Sequence, residues 1–275
     1  MNQRVLSMIL ALALAGCATE RPPTEPAAPA TPSRVEAPSA APDDAAIART
    51  IAAMERSASD RAEDAWRQPA TVLSFVQARP GMQVIDVLAA GGYYSELLAR
   101  AVGPSGKVIA YNNPPYARFA GDQPAQRFGS GRLQNVAVLT AEVTELSLPA
   151  NSLDAALFVL SYHDLYWRPA DGGWERTDPA ALLRTLHQAL KPGGIVVVQD
   201  HAAAAGSEPQ VTADKLHRID PERVKQDFAA AGFRLDAESD AFAHADDDLT
   251  KLVFDPAIRH RTHQFLYRFK KADGE

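Results

Sequence analysis

The sequence predicts an α/β fold in which a seven-stranded, mostly parallel sheet with an antiparallel last strand carries helices on both faces. Residues 82–100, MQVIDVLAAGGYYSELLAR, read as a buried strand, a turn of small residues and a helix. Short apolar, β-branched runs then alternate with helical stretches as far as residue 199. The segment 264–269 alternates polar and apolar side chains, as expected for an added antiparallel strand. Together these patterns indicate a Rossmann-like sheet.

The first strand, 84–88, and the helix that begins at Tyr93 are joined by the turn Ala89, Ala90, Gly91 and Gly92. Small side chains allow a ligand to approach the backbone there, and the start of the helix offers free N–H groups. An ordinary strand–helix unit without a ligand would have the same pattern. The turn is therefore a candidate ligand site that needs support from the rest of the chain.

The other elements follow from apolar periodicity and from caps. Further strands are predicted at 107–111, 135–140, 153–160, 195–199, 233–238 and 264–269. Helices are predicted from Asp43 to about Ser59 and at 70–78, 178–190 and 220–231, with an irregular helix within 116–132. A polar link at 59–68 separates the first two helices, and its Arg61 or Arg67 could reach a ligand carboxylate. The loop 166–177, rich in Gly, Trp and charge, could serve as a lid.

The N-terminal 42 residues are predicted to lie outside the folded domain, which we place at 43–275. Arg4 and the apolar run Val5–Ala15 have the form of a signal peptide, 1–16. The following Cys17 completes a stretch, LAGC, that resembles a lipobox, so Cys17 is a candidate lipidation site. Residues 17–42 are rich in Ala and Pro and predict a disordered tether. With Ala18 after the cysteine, we expect anchoring at the periplasmic face of the outer membrane; a plain signal peptide is the alternative.

Composition narrows the class of partner. The net charge of −6 and the scattered basic residues argue against a nucleic-acid surface. Cys17 is the only cysteine, so an intramolecular disulfide is impossible. We expect a small-molecule substrate, and the membrane is involved only through the lipid anchor. The oligomeric state is not indicated.

Polar residues follow two strands that should be neighbours. Ser161–Asp164 come after the strand at 153–160, and Asp200 and His201 come after the strand at 195–199. Ligands of open α/β sheets bind beyond the carboxyl ends of the strands. His163 beside Asp164 is a candidate general base, because a carboxylate raises the basicity of an imidazole. His201 is a second candidate.

Other roles for these residues stay open. Each histidine could instead make a structural hydrogen bond. The set His163, Asp164, Asp200 and His201 could bind a divalent ion, although the spacing does not require one. His217 and Arg218 are expected to be structural, with Arg218 pairing locally, and the two lid tryptophans, Trp167 and Trp174, to pack within the lid.

Four stretches in order resemble class I S-adenosylmethionine (SAM)-dependent methyltransferases. They are the strand–turn–helix at Asp86, LPANSLDAALFV, LKPGGIVVV, and the AAGF turn at 230–233 followed by the last strand. The resemblance covers about residues 69–270. Within that superfamily the chain is similar to a group of predicted exported bacterial methyltransferases, through GGYYSELLA, YHDLYW, DHAAAAGS and LHRID.

The resemblance implies SAM as cofactor and a methyl acceptor beside it. It places Asp86 and the turn Ala89, Ala90, Gly91 and Gly92 against the methionine part of SAM. It places Asn112 at the ribose and Glu142 near the adenine amine. It implies that His163, Asp164 and His201 line the acceptor side.

The chain departs from the superfamily pattern at Leu88 and Ala90, which replace the first two glycines of the turn, and at Asn112, which replaces an acid. These departures favour a first alternative, a catalytically inactive SAM-fold binding or envelope-interaction protein. The need for SAM outside the cytosol favours it too. A nucleotide-dependent oxidoreductase is a second alternative, although the turn lacks G-x-G-x-x-G.

Overall fold

The computed structural model describes residues 43–169, 172, 174 and 177–272. The predicted signal peptide, the predicted tether and Cys17 lie outside the described residues, so these three assignments stay predictions. Within the described part, no helix combines the length and the apolar character needed to cross a bilayer.

Seven strands of the described residues form one sheet in the order β3-β2-β1-β4-β5-β7-β6. They are β1 (Gln83–Val87), β2 (Lys107–Asn112), β3 (Val136–Thr140), β4 (Leu153–Val159), β5 (Leu190–His201), β6 (Phe233–Ser239) and β7 (Gln264–Lys271). β1 to β5 pair in parallel, and β7 runs antiparallel to both β5 and β6. The predicted fold class, with its antiparallel last strand, is confirmed.

The helices are α1 (Asp44–Ile51), α2 (Ala58–Arg67), α3 (Pro69–Phe75), α4 (Tyr93–Val102), α5 (Pro114–Ala120), α6 (Gln123–Phe128), α7 (Pro179–Ala189), α8 (Pro209–Leu216) and α9 (Pro221–Ala230). The prediction of one helix from Asp43 to about Ser59, followed by a polar link at 59–68, is wrong. The first helix ends at Ile51, residues 52–57 are not helical, and α2 occupies most of the predicted link. Ser57 caps α2, its hydroxyl accepting from the Asp60 N–H at 3.0 Å. The irregular helix expected within 116–132 is replaced by the short α5 and α6, and β5 extends beyond 195–199.

The central strands are buried on both faces of the sheet. Val84 and Leu157 pack into one apolar cluster, while their neighbours Ile85 and Phe158 pack into the other. α1, α3 and α4 contribute to the first cluster, and α5, α7 and α9 to the second. Alternation of side chains along a strand explains this division, and burial of each large side chain contributes about 1.5–3 kcal/mol.

A buried ion pair ties α8 to the connection between β6 and β7. Both terminal guanidinium nitrogens of Arg218 contact Asp247, at 2.8 and 3.0 Å, and both side chains are buried. Arg218 is therefore structural, as expected, but its partner lies 29 residues away instead of nearby. The connection that it anchors supplies Phe254 and His260 to the cavity described below.

Candidate active site

A cavity of about 660 Å³ opens at the carboxyl ends of β1, β4 and β5. The turn after β1 forms one side, and the polar residues that follow β4 and β5 form the other. Aromatic side chains supply much of the remaining wall: Trp66, Tyr116, Phe119, Trp167, Trp174 and Phe254. The structure thus brings the predicted turn and the predicted strand-end histidines into one space, as expected for an open α/β sheet.

The turn keeps a left-handed backbone at three alternate residues. Leu88 has φ 56°, Ala90 has φ 47° and Gly92 has φ 85°. Glycine adopts this conformation freely, whereas for other residues it costs roughly 1–2 kcal/mol each. The Leu88 side chain is buried in the core beneath the turn. Two of the three glycine positions of the superfamily pattern therefore hold a strained non-glycine residue.

Asn112 shapes this turn and does not line the cavity. Its side-chain oxygen accepts from the Ala90 N–H at 2.8 Å, and its amide nitrogen donates to the Ala90 carbonyl at 3.1 Å. Only 2% of Asn112 is exposed. Glu142 does not line the cavity either and lies near the buried Tyr111. The positions of Asn112 and Glu142 do not favour the ribose and adenine contacts that the resemblance implied.

Asp86 lies at the floor of the cavity beside the turn. It is 3% exposed, and the Ser95 hydroxyl donates to one of its carboxylate oxygens at 2.6 Å. Burial disfavours the charged carboxylate and raises the pKa of Asp86 to about 7, although the Ser95 hydrogen bond acts in the opposite direction. Near neutral pH, Asp86 is therefore poised between its neutral and charged forms.

An arginine-rich network fixes α2 and α6 beside the turn. Arg127 of α6 donates to the Gly91 carbonyl at 2.7 Å, contacts Glu96 of α4 at 2.8 Å and pairs with Asp60 of α2. Glu96 is buried and also pairs with Arg132 and Arg100, at 2.9 and 3.0 Å. Asp60, Glu96 and Arg127 are far apart in sequence. The local signals for α2 are the Ser57 cap and the Glu63–Arg67 pair.

Of the two arginines predicted to reach a ligand, Arg67 lines the cavity and Arg61 does not. Arg67 pairs with Glu63 at 2.6 Å, and its guanidinium carbon lies 4.4 and 4.6 Å from the ring centroids of Trp66 and Tyr93. Arg61 instead donates to the Arg56 carbonyl. Arg67 thus presents a stacked positive charge to the cavity.

His163 is the centre of a buried polar cluster. Its Nδ1 lies 2.7 Å from one oxygen of Asp200, and its backbone N–H donates to the other at 2.8 Å. Its Nε2 lies 3.3 Å from Asp164 Oδ1, and the second oxygen of Asp164 accepts from the Tyr116 hydroxyl at 2.5 Å. Burial opposes a charge on His163, but the carboxylates of Asp164 and Asp200 outweigh it and raise the pKa of His163 to about 10.

A pKa of about 10 favours the imidazolium form of His163 at neutral pH, in which both ring nitrogens carry a proton. The role of general base for His163 stays a prediction. Burial would raise the pKa of Asp164, but the charge on His163 outweighs that effect and holds the pKa well below its usual range.

His201 has the opposite environment. Its ring centroid lies 5.9 Å from that of His163, and its Nδ1 lies 2.8 Å from the Thr262 hydroxyl. Burial and the nearby positive charges of His163 and Arg218 hold the pKa of His201 well below its usual value. The two environments therefore favour a cationic His163 and a neutral His201 at neutral pH. Neighbouring titratable groups whose pKa values are shifted in opposite directions are typical of acid–base pairs.

His217 is a cavity residue that the sequence did not reveal. Its Nδ1 lies 3.3 Å from His163 Nε2 and 3.5 Å from Asp164 Oδ1. The expectation that His217 is only structural is therefore not supported by its position. It follows α8 in a left-handed conformation with φ 52°, 54 residues from His163, so spacing gave no signal.

The described part of the predicted lid packs as expected. The rings of Trp167 and Trp174 meet edge to face, with centroids 4.8 Å apart, and the Trp174 ring also meets Tyr116 at 5.3 Å. Both tryptophans line the cavity. They therefore form part of its aromatic wall.

Residues 85–198 match a family described as a methyltransferase domain. A SAM-dependent methyltransferase from Aquifex aeolicus superposes with a TM-score of 0.54 at 19% identity, covering 84% of this chain and 99% of that one. The chain has the fold of the class I SAM-dependent methyltransferases. The alternative of an oxidoreductase receives no support from these matches.

Curated relatives are quinone methyltransferases by name. The chain is 26% identical over 132 residues to a demethylmenaquinone methyltransferase of Geobacillus stearothermophilus, covering 48% of this chain and 50% of the relative. It is 26% identical over 185 residues to a 2-phytyl-1,4-naphtoquinone methyltransferase of Synechococcus elongatus, covering 64% and 70%. The chain thus spans about half the length of the first of these relatives. The matches support SAM as the cofactor and methyl transfer as the class of reaction.

Proposed function

We propose that the protein is a SAM-dependent methyltransferase that acts on a small aromatic acceptor. The observation that carries the proposal is the cavity that joins the turn after β1 to the polar cluster after β4 and β5. The turn side suits the cofactor and the cluster side suits the acceptor.

The residues on the turn side fit the methionine half of SAM. The carboxylate of Asp86 and the aromatic faces of Trp66 and Tyr93 suit a sulfonium and an ammonium group. The guanidinium of Arg67 suits the carboxylate. Because Asn112 is bonded to the turn, we propose that Gln123, which lines the cavity against Gly91, serves the ribose hydroxyls in its place.

Two observations support an aromatic acceptor. The named relatives methylate quinone-type molecules. In this chain the cavity wall beside the polar cluster is built from Tyr116, Trp167 and Trp174, whose rings favour packing against another ring.

For methyl transfer, the protein has mainly to align the acceptor with the methyl group and to stabilise the charge that develops on the acceptor. When bound, SAM supplies an already activated methyl group. The positive charge on His163 stabilises an acceptor oxygen as it becomes an anion. The neutral ring of His201 can accept the proton that the acceptor loses, while Asp200 and Asp164 hold His163 in place.

We also propose that the protein is a lipoprotein exported to the periplasmic face of the outer membrane. The support is the LAGC stretch at Cys17, the Ala/Pro-rich segment after it and the resemblance, noted in the sequence, to a group of predicted exported bacterial methyltransferases. Mass spectrometry of the mature chain tests this. We expect a diacylglycerol adduct on an N-terminal Cys17, and an unmodified cysteine would contradict the proposal.

A methyl-transfer assay with labelled SAM and a panel of quinols and other phenols tests the enzymatic proposal. We expect His163→Ala to remove turnover while SAM affinity stays within about threefold of wild type. The control is His187→Ala, whose ring packs on Phe233 away from the cavity and should leave both unchanged. SAM binding without transfer to any acceptor would favour the inactive binding protein, and loss of SAM binding in His163→Ala would contradict the role given to His163.

A further inference from the structure

We propose that His163, Asp164 and His217 form a binding site for one divalent transition-metal ion such as Zn²⁺. Among the described residues these three place a ligand atom each within 4.8 Å of one another. Two imidazole nitrogens and one carboxylate oxygen form a donor set that Zn²⁺ accepts. Binding of the ion would require neither SAM nor an acceptor, so the metal site is independent of the proposed methyl transfer.

The spacing of the three atoms suits a metal centre. His163 Nε2 lies 3.3 Å from both His217 Nδ1 and Asp164 Oδ1, and the latter two atoms lie 3.5 Å apart. In a tetrahedral centre with bonds of about 2.0–2.1 Å, ligand atoms lie roughly 3.3–3.4 Å apart. The three atoms therefore already form one face of such a tetrahedron.

The carboxylate oxygen in this group accepts no hydrogen bond within the described part of the chain, and its two ion-pair contacts are with the two histidines of the same group. Asp164 Oδ1 is buried and accepts no hydrogen bond from the described residues, and the whole side chain is only 10% exposed. A cation at the centre of the three atoms would satisfy this oxygen.

The groups behind the three ligands are those that a metal site requires. Asp200 contacts His163 Nδ1 at 2.7 Å, which holds the proton on that nitrogen and directs Nε2 toward the ion. The Tyr116 hydroxyl donates to the outer oxygen of Asp164 and fixes the carboxylate. A bound ion takes the place of the second proton of His163, so the positive charge at this point is kept.

Three protein ligands leave a fourth position open. All three residues line the cavity, so that position is available to an oxygen ligand from the cavity. The identity of that oxygen ligand rests on the proposed function. If the protein methylates a phenol, the ion would bind the phenolic oxygen of the acceptor.

Zinc titration of the full-length chain, purified without a histidine tag and stripped with a chelator, tests the site. We expect one Zn²⁺ per chain by calorimetry, and Co²⁺ in the same site should give the visible absorption of a four-coordinate complex. His217→Asn and Asp164→Asn should each weaken Zn²⁺ binding by at least about tenfold. Asparagine tolerates the left-handed backbone at 217, which protects the fold.

The matched control is His260→Ala, because His260 lines the same cavity, contacts the Trp66 ring and lies outside the cluster. It should bind Zn²⁺ within about threefold of wild type. Circular dichroism checks that each variant folds. If one of the ligand variants does not fold, Asp200→Asn is used instead, and we expect it to lower Zn²⁺ affinity by about 10–100-fold. Absence of saturable binding, or wild-type affinity in both ligand variants, would overturn the proposal. Because SAM is absent from the titration, this outcome is independent of the methyltransferase proposal.

Discussion

Ala90 holds a left-handed backbone conformation that glycine would adopt without strain. Its φ is 47°, while its neighbour Ala89 has no positive φ. We expect Ala90→Gly to raise the free energy of unfolding by about 1 kcal/mol, because the released strain exceeds the added entropy of the unfolded chain. Urea denaturation checks this. Ala89→Gly is the control and should lower stability by about 0.4–1 kcal/mol; equal effects of the two substitutions would contradict the strained turn.

Asp86 should make cofactor binding depend on pH. Its pKa of about 7 lies above the ordinary carboxyl value because of burial. A bound cation favours the ionised form, so SAM affinity should rise as the pH increases through 7, by up to about tenfold between pH 6 and pH 8. Calorimetry in buffers of different ionisation enthalpy should detect proton release below pH 7. Asp86→Asn should bind more weakly and without this pH dependence, and a flat wild-type profile would contradict the assignment.

Single side chains were the part of the site that the sequence predicted least well. Asp86, His163 and His201 lie at the cavity because strand ends can be located from apolar runs. The Asn112 side chain hydrogen-bonds Ala90 within the turn and does not line the cavity. His217, at the end of a helix distant in sequence, contacts His163. Such positions depend on side-chain rotamers and long-range packing, which periodicity does not report.

A network of ion pairs links the helices α2 and α6 to α4 and to the turn after β1. Arg127→Met should remove the link among Asp60, Glu96 and Gly91 and leave two buried carboxylates with fewer partners. We expect a loss of about 2–3 kcal/mol in unfolding free energy. Amide hydrogen exchange should quicken in α6 and remain unchanged in β5.

The control for this prediction is Arg184→Met. Arg184 contacts Asp178 at 4.0 Å, and both side chains are largely exposed. Its loss should change stability by less than about 0.5 kcal/mol. If Arg127→Met proved equally mild, the network would not be what holds α6 against the turn.

At the level of elements, apolar periodicity predicted the strands and the helices that pack on the sheet. It failed for α2, a helix with few apolar residues that is stabilised by its Ser57 cap and by the pairs Arg56–Asp64 and Arg67–Glu63. Capping and ion pairs across a helix give weak local signals, and the long range of the Arg127 contacts gives none.

At the level of the whole molecule, strand order decides where chemistry can occur. β1, β4 and β5 lie side by side, so their carboxyl ends bring the turn and His163 to opposite sides of a cavity of about 660 Å³. α2 and the connection between β6 and β7 complete its walls with Trp66 and His260. The volume of this cavity lies within the range of small-molecule binding sites.

A crystal structure of the chain with bound S-adenosylhomocysteine tests the central claim most directly. We predict that the ligand occupies the cavity with its amino-acid end against Leu88–Gly92 and its sulfur facing the His163 side. Gln123, and not Asn112, should contact the ribose. A structure in which the ligand is absent at saturating concentration, or in which Leu88 and α6 seal the turn from it, would contradict the claim.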